Sequence, residues 1–324
     1  MKVGTIGTSF ITEWLIDAML ANNVEVKACF SRREESGRKL ADKYGIKEVY
    51  TDFTKMLEDK DIDFIYVASP NSLHYYYTKL ALEHGKNVIS EKPFFSNARE
   101  AKEMIDLAKD KHLMLFEAIT CVHNPNVPRI KEIIKEISPI KIVQGNMSQY
   151  SRKYDQFLNN EHPNVFTTKY SGGALMDINI YNLHYVMNLF GVPEEVSYDA
   201  NIKENIDTSG IINLKYKDFV CSLVGSKDNI GHNFIQIQGE HGYVITHSAS
   251  SICDNVEYKL RKKGEGHFNF LDGKGGHYYE VKDFKEIYEN KDYARCYELL
   301  DYSLEVMKVV DKAKKSANIV FDND

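Results

Sequence analysis

Short β-branched runs and longer helical stretches alternate over residues 1 to about 120. A chain patterned this way can bury both faces of its strands only in a parallel sheet covered by crossover helices. Strands are predicted at 2–6, 24–30, 49–50, 63–68, 87–89 and 113–116, and helices near 11–22, 33–44, 53–59, 73–84 and 97–111. Gly45 and Gly85 stand where helix C-caps are expected, and Asn97 with Glu100 has the spacing of a capping box. Residues 1–120 therefore read as a doubly wound α/β domain. After Pro125 and Pro128 the texture changes to a helix at about 126–137, a strand near 140–150, a helix after Gly172-Gly173, and strand-like stretches from about 195 to 282. Strands that follow one another without intervening helices imply a mostly antiparallel sheet. Residues 121–324 thus read as an α+β domain closed by an amphipathic helix at about 292–315, and with no long linker the two halves are expected to enclose a cleft.

A length of 324 residues, 43% hydrophobic and 27% charged, suffices for two cores. The net charge of −6, with interspersed signs, offers no basic stripe for nucleic acid and no polybasic membrane patch, so chemistry on a small molecule is favoured. The five cysteines form no Cys-x-x-Cys pair, and the histidines are scattered, so neither a disulfide framework nor a metal site is expected. A strand opens the chain without a charged-then-apolar leader, and no run of about 18 apolar residues occurs, which predicts a cytoplasmic protein. There is no Gly-x-Ser-x-Gly elbow and no Gly-Lys-Ser/Thr loop, and the glycine-rich stretch 264–276 reads as a hairpin loop.

Ligands in doubly wound sheets bind at the carboxyl ends of the strands. The first such end reads Gly7-Thr8-Ser9-Phe10-Ile11, where a dinucleotide fingerprint wants glycine at 7, 9 and 12, and only Gly7 fits. Gly7 can still make the turn, Ser9 is small enough for close approach, and a helix starting near Ile11 aims its N–H groups at a pyrophosphate. The second strand ends in Ser31-Arg32-Arg33 without an acidic residue, which favours the 2′-phosphate of NADP over the ribose of NAD. Solvated helix-entry charges are the competing reading. The fourth strand runs into Ser69-Pro70-Asn71, where Asn71 can touch the ribose or nicotinamide and His74 can support the loop. The fifth runs into Glu91-Lys92-Pro93, where a lysine before a nicotinamide is placed to handle the proton that accompanies hydride transfer. In the second half, Asp177, Tyr181, His184 and Asn188 recur at helical steps, lining a polar face that lacks the Lys and Glu of an ordinary surface stripe.

In this order and spacing, the Gly7 loop, Ser31-Arg32, Ser69-Pro70-Asn71…His74, Glu91-Lys92-Pro93, Glu117-Ala118…His123-Asn124-Pro125 and Gly172-Gly173-Ala174-Leu175-Met176-Asp177…Tyr181 resemble the glucose–fructose oxidoreductase / inositol dehydrogenase (Gfo/Idh/MocA) family of NAD(P)-dependent oxidoreductases. Tyr181, where many members carry histidine, tilts the likeness toward the dihydrodiol dehydrogenase-like branch. The resemblance implies a Rossmann domain followed by an α+β domain whose large, mostly antiparallel open sheet makes a homodimer interface. It implies a catalytic lysine, Lys92, with an often cis Lys–Pro bond, working with Asp177 and Tyr181. Lys92 beside an oxidised nicotinamide would have a lowered pKa and would lower that of the Tyr181 phenol, so either can exchange the proton. Gly7, Thr8, Ser9, Phe10, Ile11, Ser31, Arg32, Ser69, Pro70, Asn71, His74, Glu91 and Lys92 are the candidate cofactor contacts. Asn124, Arg152, Tyr154, Tyr170 and His184, with Lys153 and His162, are candidate contacts for a sugar, cyclic polyol or dihydrodiol-like substrate. The alternative is a non-catalytic dinucleotide-binding sensor on the same fold, against which intact proton-transfer groups argue.

Overall fold

Strands β1 Lys2–Ile6, β2 Glu25–Phe30, β3 Glu48–Tyr50, β4 Phe64–Val67, β5 Asn87–Glu91 and β6 Leu115–Ala118 pair in parallel in the order β3-β2-β1-β4-β5-β6. This is the doubly wound sheet that the alternation requires, with the chain order reversing between β1 and β4. Helices α1 Phe10–Ala21, α2 Glu34–Tyr44, α3 Phe53–Glu58, α4 His74–Glu83 and α5 Ala98–Asp110 make the crossovers. Gly45 adopts φ 68° at the end of α2, and the Asn97 side chain accepts from Glu100 N at 2.9 Å to start α5. Side chains alternate across a strand, and the register pairs Thr5 with Tyr66, Tyr66 with Ile89, and Glu91 with Ala118. These residues share one face of the sheet.

The second sheet has eight strands in the order β14-β13-β12-β11-β7-β10-β9-β8, where only β7 and β10 run parallel. Its elements follow α6 Val127–Ile137 as β7 Ile140–Ser148, α7 Tyr154–Leu158, a π-helical stretch Leu175–Asn179 continuous with α8 Ile180–Phe190, then β8 Glu195–Lys203, β9 Ile206–Lys215, β10 Val220–Ser226, β11 Phe234–Gly239, β12 Gly242–Thr246, β13 Val256–Leu260 and β14 Gly264–Phe268. Val143, Leu223, Ile235 and Ile237 are buried on the face that α6 and α8 cover. Ile142, Gln144, Ile211 and Val220 stand exposed on the other.

Two expectations are corrected here. The glycine-rich stretch is not one hairpin loop, because Gly264–Phe268 pairs with β13 as an edge strand. Residues up to 282 do not continue the sheet, because Gly276–Glu289 forms a helix, α9, followed by α10 Tyr293–Ser316. The reason is spacing: Val281, Phe284 and Ile287, three residues apart, bury together on one helical face. Phe284 stacks on Phe116 at 4.6 Å, the Tyr288 ring meets Phe64 edge-on at 5.0 Å, and Lys285 Nζ donates to Asn22 O at 2.9 Å. This helix therefore belongs to the first sheet. The computed structural model describes residues 1–324, and its two units are Met1–Ala118 with His277–Leu304, and Ile119–Gly276 with Glu305–Asp324. Residues 277–304 belong to the first unit although they follow the second in the chain. No helix is long and apolar enough to cross a membrane.

Candidate active site

At the end of β1, Gly7 has φ 102°, and a Cβ there would meet Ala68 O at 2.6 Å, so this turn requires glycine. Ser9 is the N-cap of α1 but makes no side-chain cap; its Oγ lies 3.4 Å from Oγ1 of buried Thr12, the residue at the third glycine position. Glu13, the acid of the first turn, is engaged by Lys43 at 2.6 Å. A Gly-Thr-Ser turn entering a helix N-terminus that no side chain caps is a donor set suited to a pyrophosphate. Phe10 and Trp14 follow on α1, both half-exposed, with ring centroids 5.1 Å apart.

At the tip of β2, Ser31 is buried, donates from its backbone N to Tyr50 O at 3.0 Å, and accepts from Arg33 N on Oγ at 3.4 Å. Arg32 is exposed beside it. After β4, Ser69 Oγ donates to Pro70 O at 3.3 Å, and Asn71 opens a single 3-10 turn. His74 is buried, with Nδ1 3.0 Å from Pro93 O and Nε2 3.0 Å from Ser69 O. Burial holds its pKa below the ordinary histidine value. Both ring nitrogens are spent tying the Ser69-Pro70 turn to the Lys92-Pro93 turn, whose peptide bond is cis. His74 supports the loops instead of touching a ligand through its ring.

Glu91 needs a similar correction. The pleat of β5 turns its carboxyl to the face it shares with Tyr66, where it is buried and accepts from Tyr66 Oη at 2.5 Å. Burial, and after it the charge of Glu280, pushes its pKa up to about 7. Its side chain belongs to the core, while Lys92, the next residue, is only half-buried.

In the second unit, Gly173 has φ 101°, and a Cβ on it would run into the Asp207 carboxylate. Asp207, buried on β9, accepts from Leu175 N at 2.6 Å and Tyr198 Oη at 2.8 Å, capping the π-helical entry to α8. The π-helical stretch changes the phase of the polar residues. Asp177 and Tyr181 remain half-buried, but His184 is wholly buried, so the four polar residues do not form one wet face. A second polar row, Asn179 and Asn182, faces the sheet: Asn179 Nδ2 donates to Leu223 O at 3.0 Å, and Asn182 Nδ2 to Val224 O at 2.9 Å. Gly225 makes room for it, since a Cβ there would meet Asn179 Cβ at 2.5 Å.

Asp177 is paired with Lys227, whose Nζ lies 2.5 Å from Oδ2, donates to Val165 O at 3.2 Å, and sits 4.5 Å above the Phe166 ring. The lysine side chain is 1% exposed and the aspartate 31%. Phe166 continues into an aromatic floor, stacked on Phe157 at 4.9 Å and tilted against Tyr154 at 5.5 Å. Burial raises the Tyr154 pKa. Arg152, Lys153 and His162 are exposed, and Tyr170 is half-buried. Asn124 is buried, and its amide donates to Ile252 O at 2.8 Å and Cys253 O at 3.3 Å and accepts from Asn126 N at 2.9 Å. Sequence reading missed Lys227, Asp207, Asn179, Asn182, His277 and Glu280. Only the i, i+3 spacing of Asn179 and Asn182 carried a local signal.

The description of the GFO/IDH/MocA oxidoreductase family, with its NAD-binding Rossmann fold, fits residues 1–119, and that of the GFO/IDH/MocA C-terminal domain fits residues 128–245. The chain is 29% identical over 326 residues to scyllo-inositol 2-dehydrogenase (NADP(+)) IolU of Bacillus subtilis strain 168, covering 100% of this chain and 99% of that protein. It is 33% identical over 258 residues to the uncharacterized oxidoreductase YgjR of Escherichia coli K12, covering 79% and 78%. With trans-1,2-dihydrobenzene-1,2-diol dehydrogenase of Mus musculus it shares 25% over 340 residues, covering 100% and 97%. A crystal structure of KijD10, a 3-ketoreductase from Actinomadura kijaniata, in complex with NADP and TDP-benzene, matches at a TM-score of 0.87 and 20% identity over 99% of each chain. This last likeness establishes the fold.

Proposed function

The chain belongs to the GFO/IDH/MocA family of oxidoreductases, and from that premise we propose that it moves a hydride between NADP and a CH–OH carbon of a sugar, cyclic polyol or dihydrodiol-like substrate. Full-length similarity to an NADP(+)-dependent inositol dehydrogenase is the observation that carries this reading. The acid-free tip of β2, with Ser31 and exposed Arg32, favours NADP over NAD. When bound, the cofactor supplies or accepts the hydride. The chain's own residues serve the proton that leaves or joins the substrate oxygen. Lys92 is the electrostatic stabiliser and Tyr181 the proton donor or acceptor, with the reverse division as the second arrangement. Asp177, held by Lys227, is the carboxylate assigned to the same step. Arg152, Tyr154 and Tyr170 are the substrate contacts retained from the sequence. A homodimer formed through the exposed face of the eight-stranded sheet, and residence in the cytoplasm, complete the proposal.

A screen of inositols, aldoses and dihydrodiols with NADP and NAD, read by NADPH or NADH absorbance, tests it. Turnover with at least one polyol is expected, and Lys92→Met should lower it by about 10² to 10⁴ while leaving NADPH binding within a few-fold. A Lys92→Met variant retaining more than half the wild-type rate would remove Lys92 from the mechanism. Cofactor binding without turnover on any class would favour the sensor.

A further inference from the structure

Four ionisable groups that the proposed reaction does not use lie where α9 packs on the face of the parallel sheet that carries Tyr66 and Glu91, the residue before Lys92. Tyr66 on β4 donates to buried Glu91 on β5 at 2.5 Å. Two residues of α9 complete the set: His277 Nδ1 lies 2.7 Å from Glu280 Oε1, and the Glu280 side chain is 0% exposed. Glu280 Oε2 is buried without a protein partner. Two carboxyl groups in one desolvated place cannot both ionise cheaply, and an imidazole beside them offers a second home for a proton.

We propose that His277, 26% exposed at the rim, and buried Glu280 act with Glu91 and Tyr66 as a proton-sharing unit that sets the charge beside Lys92, making the two α9 residues positioning residues for the reaction. The inference rests on Lys92 taking part in the proton transfer, as read above. The groups facing the unit are Glu91 from β5 and Lys92 just after it, Tyr66 from β4, and His277 and Glu280 from α9; α1 contributes the uncharged Trp14, its ring centroid 6.1 Å from that of His277. Burial and then Glu280 lift Glu91 to about 7. Burial works against the His277 imidazolium, but the hydrogen bond and charge of Glu280 outweigh it and hold His277 above its ordinary value. Both shifts therefore depend on Glu280. As pH rises through neutrality, Glu91 loses its proton and Lys92 gains an anionic neighbour one residue away. Because the groups are coupled, the steps belong to the unit and not to one residue.

The experiment places ¹³C-methyl groups on the lysines of the full-length protein and follows the Lys92 resonance, assigned with Lys92→Arg, as a function of pH. Wild type should show an inflection near neutrality, separate from the ammonium's own titration. Glu280→Gln should move that inflection to lower pH by about one unit or more, and Glu280→Asp, which keeps the carboxylate, should restore it. The kcat profile with NADP and scyllo-inositol should shift in the same direction, with KM for NADP within about twofold, since an electrostatic change behind Lys92 acts on chemistry rather than on binding. A Lys92 resonance blind to Glu280→Gln overturns the inference whether or not the protein turns over any polyol. A moved inflection with an unmoved kcat profile overturns it as well. Absence of turnover, with the Lys92 inflection present and Glu280-dependent, removes the catalytic reading and leaves the proton-sharing unit standing.

Discussion

Lys227→Met should separate what Asp177 does for the fold from what it does for the reaction. Methionine matches the volume of the lysine stem and can keep its contact with Phe166, so the substitution deletes the charge and two hydrogen bonds, to Asp177 Oδ2 at 2.5 Å and Val165 O at 3.2 Å. Removing one partner of a buried ion pair costs about 3–5 kcal/mol, because the other charge is stranded. Here Lys227 is 1% exposed but Asp177 is 31% exposed, so water can take up part of the stranded charge. A loss of about 2–3 kcal/mol is the expected result. Asp177 should also titrate at higher pH in the variant, having lost its cation.

The assay combines chemical denaturation of wild type, Lys227→Met, Asp177→Asn and the double variant with turnover on the polyol that the screen identifies. The double variant carries a neutral pair and should recover at least about 1 kcal/mol relative to Lys227→Met, a coupling expected of residues in direct contact. It should not recover turnover, which in all three variants should fall by about a hundredfold or more if the carboxylate serves the proton step. Recovery of both stability and turnover in the double variant would refute the catalytic part of the reasoning. A Lys227→Met protein as stable as wild type would refute the ion-pair arithmetic.

Arg32→Ala should weaken NADPH by about ten- to a hundredfold and NADH far less, because the contact at stake is a charge-assisted hydrogen bond to a 2′-phosphate; equal weakening in calorimetric titrations of the two cofactors would show the β2-tip reading to be wrong. Stability should fall as pH rises from about 5 to 8. Glu91 and His277 both have folded pKa values raised above their unfolded ones, so each contributes stability that is full below its unfolded pKa and lost as pH rises through its folded pKa. The decline should amount to about 1–3 kcal/mol in denaturation series and should shrink in Glu91→Gln; a stability that rises across this window would contradict the assignment. Light scattering at micromolar concentration should report a dimer, and a lone species at the 37.3 kDa chain mass would refute it.

The elements of the first unit were legible because every signal was local. Period-two and period-three-to-four runs, Gly45 at a helix end and Asn97 three residues before Glu100 each act within one turn, and the structure places them within a residue or two. What escaped the sequence was long-range. Nothing near Lys227 says that it will meet Asp177, fifty residues earlier, and nothing near Glu280 says that α9 returns to the first sheet beside Glu91. The same limit applies to the misplaced polar stripe, since the π-helical stretch Leu175–Asn179 is met at its entry by Asp207, which arrives from β9.

Glu91-Lys92-Pro93 shows where a motif stops being informative. The tripeptide gave the position of the lysine, yet its glutamate, grouped with it as a cofactor contact, turns the other way because adjacent residues of a strand point to opposite faces. A strand that ends at a ligand site must carry one residue toward the ligand and the previous one into the core. For a glutamate, that core position is tenable only if a proton or a partner accompanies the carboxyl. Tyr66 supplies the partner, and α9 brings the groups through which the proton can be shared. The identity of residues 277 and 280 should therefore matter to any chain that keeps glutamate before this lysine and packs a C-terminal helix on that face.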